Sequence, residues 1–172
     1  MGRRLEGKVA VITGGNSGIG ASTGQLFAEQ GARVVLMARR EEQGQMIANS
    51  ICDGGGEAIF VGCDVGDYDS VCGAVNKAVA AWGRIDLLFN NAGGGAGSSF
   101  PNEQIEEWQR VINTNLTGSF FMSQMVWPHL VKAGGGAVVN MSSLAAQRGF
   151  SPAMKKEFGT TSSSYYACLL YT

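Results

Sequence analysis

At 172 residues, with 45% hydrophobic and 16% charged side chains, the chain has material for one hydrophobic core and lacks the composition of a disordered or membrane-spanning polypeptide. A formal net charge of -1, with lysines and arginines scattered, argues against a nucleic-acid surface or a basic membrane-bound helix and points to a small-molecule partner. Cys52, Cys63, Cys72 and Cys168 show no C-x-x-C spacing, and His129 is alone, so no metal site is expected; with no export signal at the N-terminus, reduced thiols in a cytoplasmic protein are.

The first apolar run, Val9-Ala10-Val11-Ile12, has the continuity of a buried parallel strand. It feeds Thr13-Gly14-Gly15-Asn16-Ser17-Gly18-Ile19-Gly20, and an amphipathic helix follows. Gly14, Gly18 and Gly20 each remove a Cβ where a diphosphate or a neighbouring strand must come close, and the first N–H groups of the helix face the anion. The spacing T-G-x-x-x-G-x-G differs from the commoner G-x-G-x-x-G, and no G-K-[ST] of a P-loop follows. A ligand-free strand-to-helix turn is the alternative.

Ile19, Leu26 and Phe27 are expected on the inner face of that helix, with Gly31 as its stop. A second strand spans Arg33–Ala38, and a charged helix runs from Glu41 to about Ile51 with Met46, Ile47 and Ile51 inward. A third strand runs from Ala58 to Asp64. Asp67 is placed to cap a helix whose Val71, Val75, Ala78, Val79 and Trp82 recur at helical spacing before Gly83. Strand four, Ile85–Phe89, meets Asn90-Asn91-Ala92-Gly93. A glycine and serine loop leads to one long helix from about Gln104 to Lys132, with Trp108, Val111, Ile112, Leu116, Phe120 and Phe121 inward, and Ala137–Met141 forms strand five. Alternating strands and helices predict an α/β fold: a doubly wound, Rossmann-like parallel sheet, stopping after about five strands, in a single domain over residues 1–172. Polar clusters at Thr13–Gly20, Ala38–Arg40, Asp64-Val65, Asn90–Gly93 and Ser142-Ser143 all fall at strand carboxyl ends, where ligands bind in such sheets.

With these clusters in order, the chain resembles the short-chain dehydrogenase/reductase family over roughly residues 5 to 150, through T-G-x-x-x-G-x-G, Asp64-Val65, N-N-A-G at 90 to 93, N-L-x-G at 115 to 118 and Ser142-Ser143. The resemblance implies hydride transfer between a nicotinamide cofactor and a carbonyl or alcohol substrate. It implies that Gly14, Asn16, Ser17, Gly18, Ile19 and Gly20 cradle the cofactor, that Asp64 accepts from the adenine amino group, and that Val65 packs on the ring. Asn90, Asn91, Ala92 and Gly93 would hold strand four against the nicotinamide-side ribose. Asp64 also reads as an ordinary strand-end cap and Asn90 as a buried backbone tie, and either can hold together with the cofactor role.

Ala38 lies 18 positions beyond Gly20, where an acidic residue would bond the ribose hydroxyls of NAD. Alanine offers no acceptor, whereas Arg39 offers a planar fork suited to a 2′-phosphate, so NADP(H) is favoured over NAD(H). Arg39 and Arg40 pairing with Glu41 and Glu42 on the surface is the alternative.

The resemblance further implies Ser143 as the residue that polarises the substrate oxygen, Tyr165 as acid or base with Tyr166 as runner-up, and Asn115 as part of a water relay. The lysine expected four residues beyond the tyrosine is missing: Leu169 follows Tyr165 and Leu170 follows Tyr166 at that spacing. A tyrosine without a nearby cation ionises near pH 10, leaving about one phenolate per thousand at neutral pH. The chain therefore reads as an inactive N-terminal fragment, or as a non-catalytic NADP(H)-binding scaffold or sensor. The tail Cys168–Thr172 resembles translated sequencing adapter and is read as non-native. Ser143 and Tyr165 are 22 positions apart, and the polar stretch 151–164 between them reads as a loop over the site or a solvated excursion. The full-length parent is expected to be a homo-oligomer, a tetramer or dimer packed through the helix holding Leu116 to Leu130.

Overall fold

The computed structural model describes residues 2–95, 102 and 104–142. Its elements run β1 (Val9–Thr13), α1 (Gly18–Glu29), β2 (Arg33–Ala38), α2 (Glu41–Asp53), β3 (Glu57–Gly62), α3 (Tyr68–Trp82), β4 (Leu87–Asn90), α4 (Ile105–Ile112), a π-helical turn (Asn113–Thr117), α5 (Gly118–Lys132) and β5 (Ala137–Asn140). The strands are all parallel in the order β3-β2-β1-β4-β5. Chain direction across the sheet therefore reverses between β1 and β4, and a crevice opens where their carboxyl ends part.

The inner strands β1, β2 and β4 are covered on both faces, which is why they are apolar runs without alternation, whereas β5 leaves Val139 exposed. One face packs Val9, Val11, Val35, Met37 and Leu88 against Val71, Val75 and Ala78 of α3 and Met122, Val126 and Leu130 of α5. The other sets Ala10, Ile12, Val34, Leu36 and Phe89 against Ala28 of α1 and Ala48 and Ile51 of α2. Asp67 caps α3 as expected, its side chain accepting from the backbone N–H groups of Asp69 and Ser70 at 2.9 and 3.1 Å, and Gly83 ends the helix. No helix among the described residues is long and apolar enough to cross a membrane.

Several packing expectations are corrected. On α1, Ile19 and Leu26 are exposed and Phe27 is half-buried; the inner face is Gly20, Ala21, Gly24 and Ala28. A Cβ on Gly24 would already stand 2.9 Å from Leu36 Cδ2, so the helix lies too close to the sheet for large side chains. Met46 on α2 is likewise exposed, with Gly44 and Ala48 inward. The long helix is interrupted: the π turn adds a residue to one turn and rotates the faces on either side, so Leu116 and Phe120 point outward while Gly118, Met122, Val126 and Leu130 line the core. Strand three stops at Gly62 and strand four starts at Leu87, each two residues inside the expected span.

Of the cysteines, Cys52, Cys63 and Cys72 are free thiols. Burial pushes the Cys63 thiol up to about 11, against the opposing effect of a Ser70 hydrogen bond and with help from Asp64 and Asp67, so it stays protonated at neutral pH. Cys168 lies outside the described residues.

Candidate functional site

The site is built from the tips of β1 and β4. Thr13 ends β1 with a side chain that is almost fully buried, and its Oγ1 accepts from the backbone N–H groups of Asn91 and Ala92, both at 3.0 Å. In return Asn91 Nδ2 donates to the carbonyls of Thr13 at 3.0 Å and Gly14 at 3.4 Å. Both strands run out of ladder partners here, and these bonds satisfy the freed groups while fixing the crevice walls. The T-G-x-x-x-G-x-G spacing by itself assigns Thr13 no such role, although N–H groups leaving a parallel strand need an acceptor nearby. Thr13→Val, which keeps the shape and removes the hydroxyl, is expected to lower stability by about 1–3 kcal/mol, with Thr13→Ser close to the parent, as read from urea unfolding midpoints.

The glycine turn crosses this junction. Gly14 has φ +66°, and a Cβ there would sit 3.0 Å from Ala92 Cα and Asn91 Nδ2. A Cβ on Gly20 would overlap the Gly14 carbonyl and stand 2.6 Å from Asn91 Nδ2. Gly18, at φ +51°, differs: a Cβ on it would meet nothing within 4 Å. Two of the three glycines therefore serve close backbone packing, and the third borders open space at the N-terminus of α1, the arrangement that accepts a diphosphate. Asn16 is buried behind the turn, and Ser17, the residue before α1, leaves its hydroxyl off the helix N–H groups. Exposed Ile19 borders the same opening.

At the same tip of β4, buried Asn90 shares its Nδ2 hydrogens among Ser119 O at 3.3 Å, Ser123 Oγ at 3.1 Å and Asn140 Oδ1 at 2.8 Å, tying β4 to α5 and β5. Asn115 sits in the π turn and clasps the loop after β4: its Oδ1 accepts from Gly94 N and its Nδ2 donates to Gly94 O, both at 2.9 Å. Gly93 lies against the same side chain, a Cβ there standing 3.1 Å from Asn115 Oδ1. Both polar groups of the Asn115 amide are thus engaged with Gly94.

Asp64 follows β3. Its Oδ1 accepts from Gly66 N at 3.0 Å, and its Oδ2 lies 4.0 Å from Arg39 Nη1. Val65 is 6% exposed and belongs to the core; Gly118 comes so close that a Cβ on it would stand 2.7 Å from Val65 Cγ2, which explains the glycine of N-L-x-G. An open cavity of about 580 Å³ spreads from Arg39 and Asp64 to Ile105, Gln109 and Asn113, joining the tips of β2 and β3 to α4. Ile105, Glu106 and Gln109 of α4 form one wall of it, a placement that no spacing within α4 encodes. Arg40 also lies at this edge, its Nη2 donating to Ser17 Oγ at 3.2 Å. The structure thus brings Gly14 to Gly20, Arg39, Asp64, Asn90 to Gly93 and Asn115 to one edge of the sheet; Ser143, Tyr165 and the stretch 151–164 lie outside the described residues.

Comparison with known proteins follows the same outline. The family profile described as short chain dehydrogenase matches residues 8–154. An uncharacterized oxidoreductase of Thermotoga maritima is 43% identical over 142 residues, covering 83% of this chain and 56% of the relative. A 2,5-dichloro-2,5-cyclohexadiene-1,4-diol dehydrogenase of Sphingobium indicum is 42% identical over 144 residues, covering 84% and 58%. Among solved structures, a metagenomic short-chain oxidoreductase in complex with NADP superposes with a TM-score of 0.80 at 36% identity, covering 86% of this chain and 67% of that one. An NAD+-bound xylitol dehydrogenase superposes with a TM-score of 0.81 at 32% identity, covering 86% and 57%. The chain thus spans little more than half the length of these curated relatives. With its glycine turn at the β1/β4 crevice and its profile match over most of its length, the chain belongs to the short-chain dehydrogenase family of oxidoreductases.

Proposed function

We propose that the protein is an NADP(H)-dependent oxidoreductase acting on a small carbonyl or alcohol, with this chain supplying the cofactor-binding part. The observation that carries the reading is the open space beside Gly18 at the β1/β4 crevice, next to a β2 tip that ends in Ala38, with no carboxylate at that position, and continues into Arg39 and Arg40. Once bound, the nicotinamide ring donates or accepts the hydride. The N–H groups at the start of α1 hold the diphosphate, Thr13 and Asn91 keep the crevice at fixed width, and Asn115 positions the loop after β4. Ser143 is assigned to polarising the substrate oxygen and Tyr165 to moving the proton.

Neither Tyr165 nor Tyr166 has a lysine four residues on, which favours a second reading for this 172-residue chain: cofactor binding without turnover. Cytoplasmic location belongs to the same reading, as does self-association through the exposed Phe120, Trp127 and Val131 of α5. Titration by intrinsic tryptophan fluorescence tests it: NADPH is expected to bind about ten-fold or more tightly than NADH, the worth of one charge-assisted phosphate contact. A chain that binds neither nucleotide would sink the reading.

A further inference from the structure

We infer that the sulfur atoms of Cys72 and Met125, facing each other across the seam between α3 and α5, form a binding site for a soft monovalent metal ion of the Cu(I) class. Cys72 Sγ donates to Met125 Sδ at 3.7 Å, and Tyr68 Oη donates to the same Sδ at 3.6 Å. Tyr68 and Cys72 are four residues apart on α3 and share one side of it, and Phe121 and Met125 stand in the same relation on α5. The rings of Tyr68 and Phe121 meet edge to face, with centroids 5.1 Å apart, beside the sulfur pair. Cys72 and Met125 are half-buried, Tyr68 is exposed and Gly73 borders open space, so the sulfurs are reached from solvent.

The geometry and the donor types agree. Two sulfurs 3.7 Å apart both fall about 2.3 Å from a shared ion when the angle between them at the ion is about 107°. A thiolate paired with a thioether is the donor set that selects Cu(I), whereas imidazole and carboxylate suit the harder divalent ions. The ion takes the place of the thiol proton that now points from Cys72 to Met125: the S–H bond breaks, the proton leaves to solvent, Cys72 and Met125 each give a sulfur lone pair, and the metal keeps its oxidation state. The charge of a Cys72 thiolate, with burial, a hydrogen bond to Cys72 and the charge of Asp69 adding to it, raises the Tyr68 phenol above its ordinary value. Tyr68 therefore stays a neutral donor that orients the sulfurs. The other described thiols are placed differently: Cys63 is buried and protonated, and Cys52 Sγ donates to the Ala58 carbonyl.

The experiment is anaerobic titration of the 172-residue chain with Cu(I) in competition with the chelator bicinchoninate, alongside Met125→Leu, Cys72→Ser and a Cys52→Ser, Cys168→Ser double variant. Met125→Leu is the decisive variant, because it conserves volume and leaves every thiol in place. Circular dichroism melts without metal check that each variant folds like the parent. The parent and the double variant are expected to hold one Cu(I) per chain, Met125→Leu to weaken it about ten-fold or more, and Cys72→Ser to lose it. The two ligands come from different helices and meet only in the folded chain, so Cu(I) should raise the thermal midpoint of the parent and not that of Met125→Leu. NADPH titration should be the same for the parent and Met125→Leu, since the seam is separate from the β1/β4 crevice. A parent that yields all its Cu(I) to the chelator, a Met125→Leu chain that binds like the parent, or a loss that follows Cys52 and Cys168 would overturn the inference and leave the nucleotide reading standing.

Discussion

Gly20→Ala is expected to abolish nucleotide binding and to destabilise the chain by about 3 kcal/mol or more. Alanine is the better helix former by about 1 kcal/mol, and Gly20 is inside α1, so propensity alone predicts a gain. Packing decides otherwise. The new methyl group would overlap the Gly14 carbonyl and press Asn91 Nδ2 at 2.6 Å, and both belong to backbone and side chains already pinned by Thr13. Overpacking typically costs about 1–3 kcal/mol where side chains can shift, and more where backbone must move. Relief requires α1 to lift from the β1/β4 junction, which carries its N–H groups away from the diphosphate. Gly18→Ala provides the contrast: it meets no atom within 4 Å, so it should cost only about 1–2 kcal/mol of left-handed backbone strain while still weakening binding, since its methyl enters the open space. Urea unfolding and NADPH titration of the two variants measure this. Binding by Gly20→Ala within about three-fold of the parent would contradict the account of the turn.

Asp86→Ala is expected to cost about 3 kcal/mol at neutral pH without touching the cofactor site directly. Asp86 is buried at the amino end of the sheet, where its carboxylate accepts from Arg84 Nε at 2.9 Å and Nη2 at 2.6 Å, from Lys8 at 3.3 Å and from Val9 N at 3.0 Å. Its backbone also joins three strands, the N–H donating to Val9 O and the carbonyl accepting from Ala137 N. Removing the carboxylate orphans the Val9 N–H, although the half-exposed Lys8 and Arg84 regain water, which limits the loss. Burial pushes the Asp86 carboxyl upward, but the hydrogen bonds from Arg84, Val9 and Lys8 outweigh it and hold it below the usual carboxylate range. A carboxyl depressed in the folded state contributes stability above its unfolded pKa and loses it as pH falls through the folded value. The difference between Asp86→Ala and the parent should therefore be constant between about pH 5 and 8 and shrink below about pH 4. A neutral-pH difference under about 1 kcal/mol, or one that ignores acid, would show that the cluster is not a stabilising hub.

The apolar runs, the glycine spacing and the polar strand ends were enough to read the parallel sheet and the edge of it where the polar clusters gather, because continuous hydrophobicity and turn chemistry are local properties of the chain. The Asp67 cap and the inward face of α3 were legible for the same reason. Tertiary structure alone decided which side chains face inward on α1, where Gly20 and Gly24 replace the expected Ile19 and Leu26, since inter-element distance rather than hydrophobicity sets which residue fits. It also decided the break of the long helix at Asn115, whose amide finds Gly94 21 positions earlier, a pairing that no periodicity within 104–132 encodes. The partners of Arg39 and Arg40 belong to this second kind: adjacent residues with one chemistry, sent to Asp64 and to Ser17 by the divergence of backbone at the strand tip.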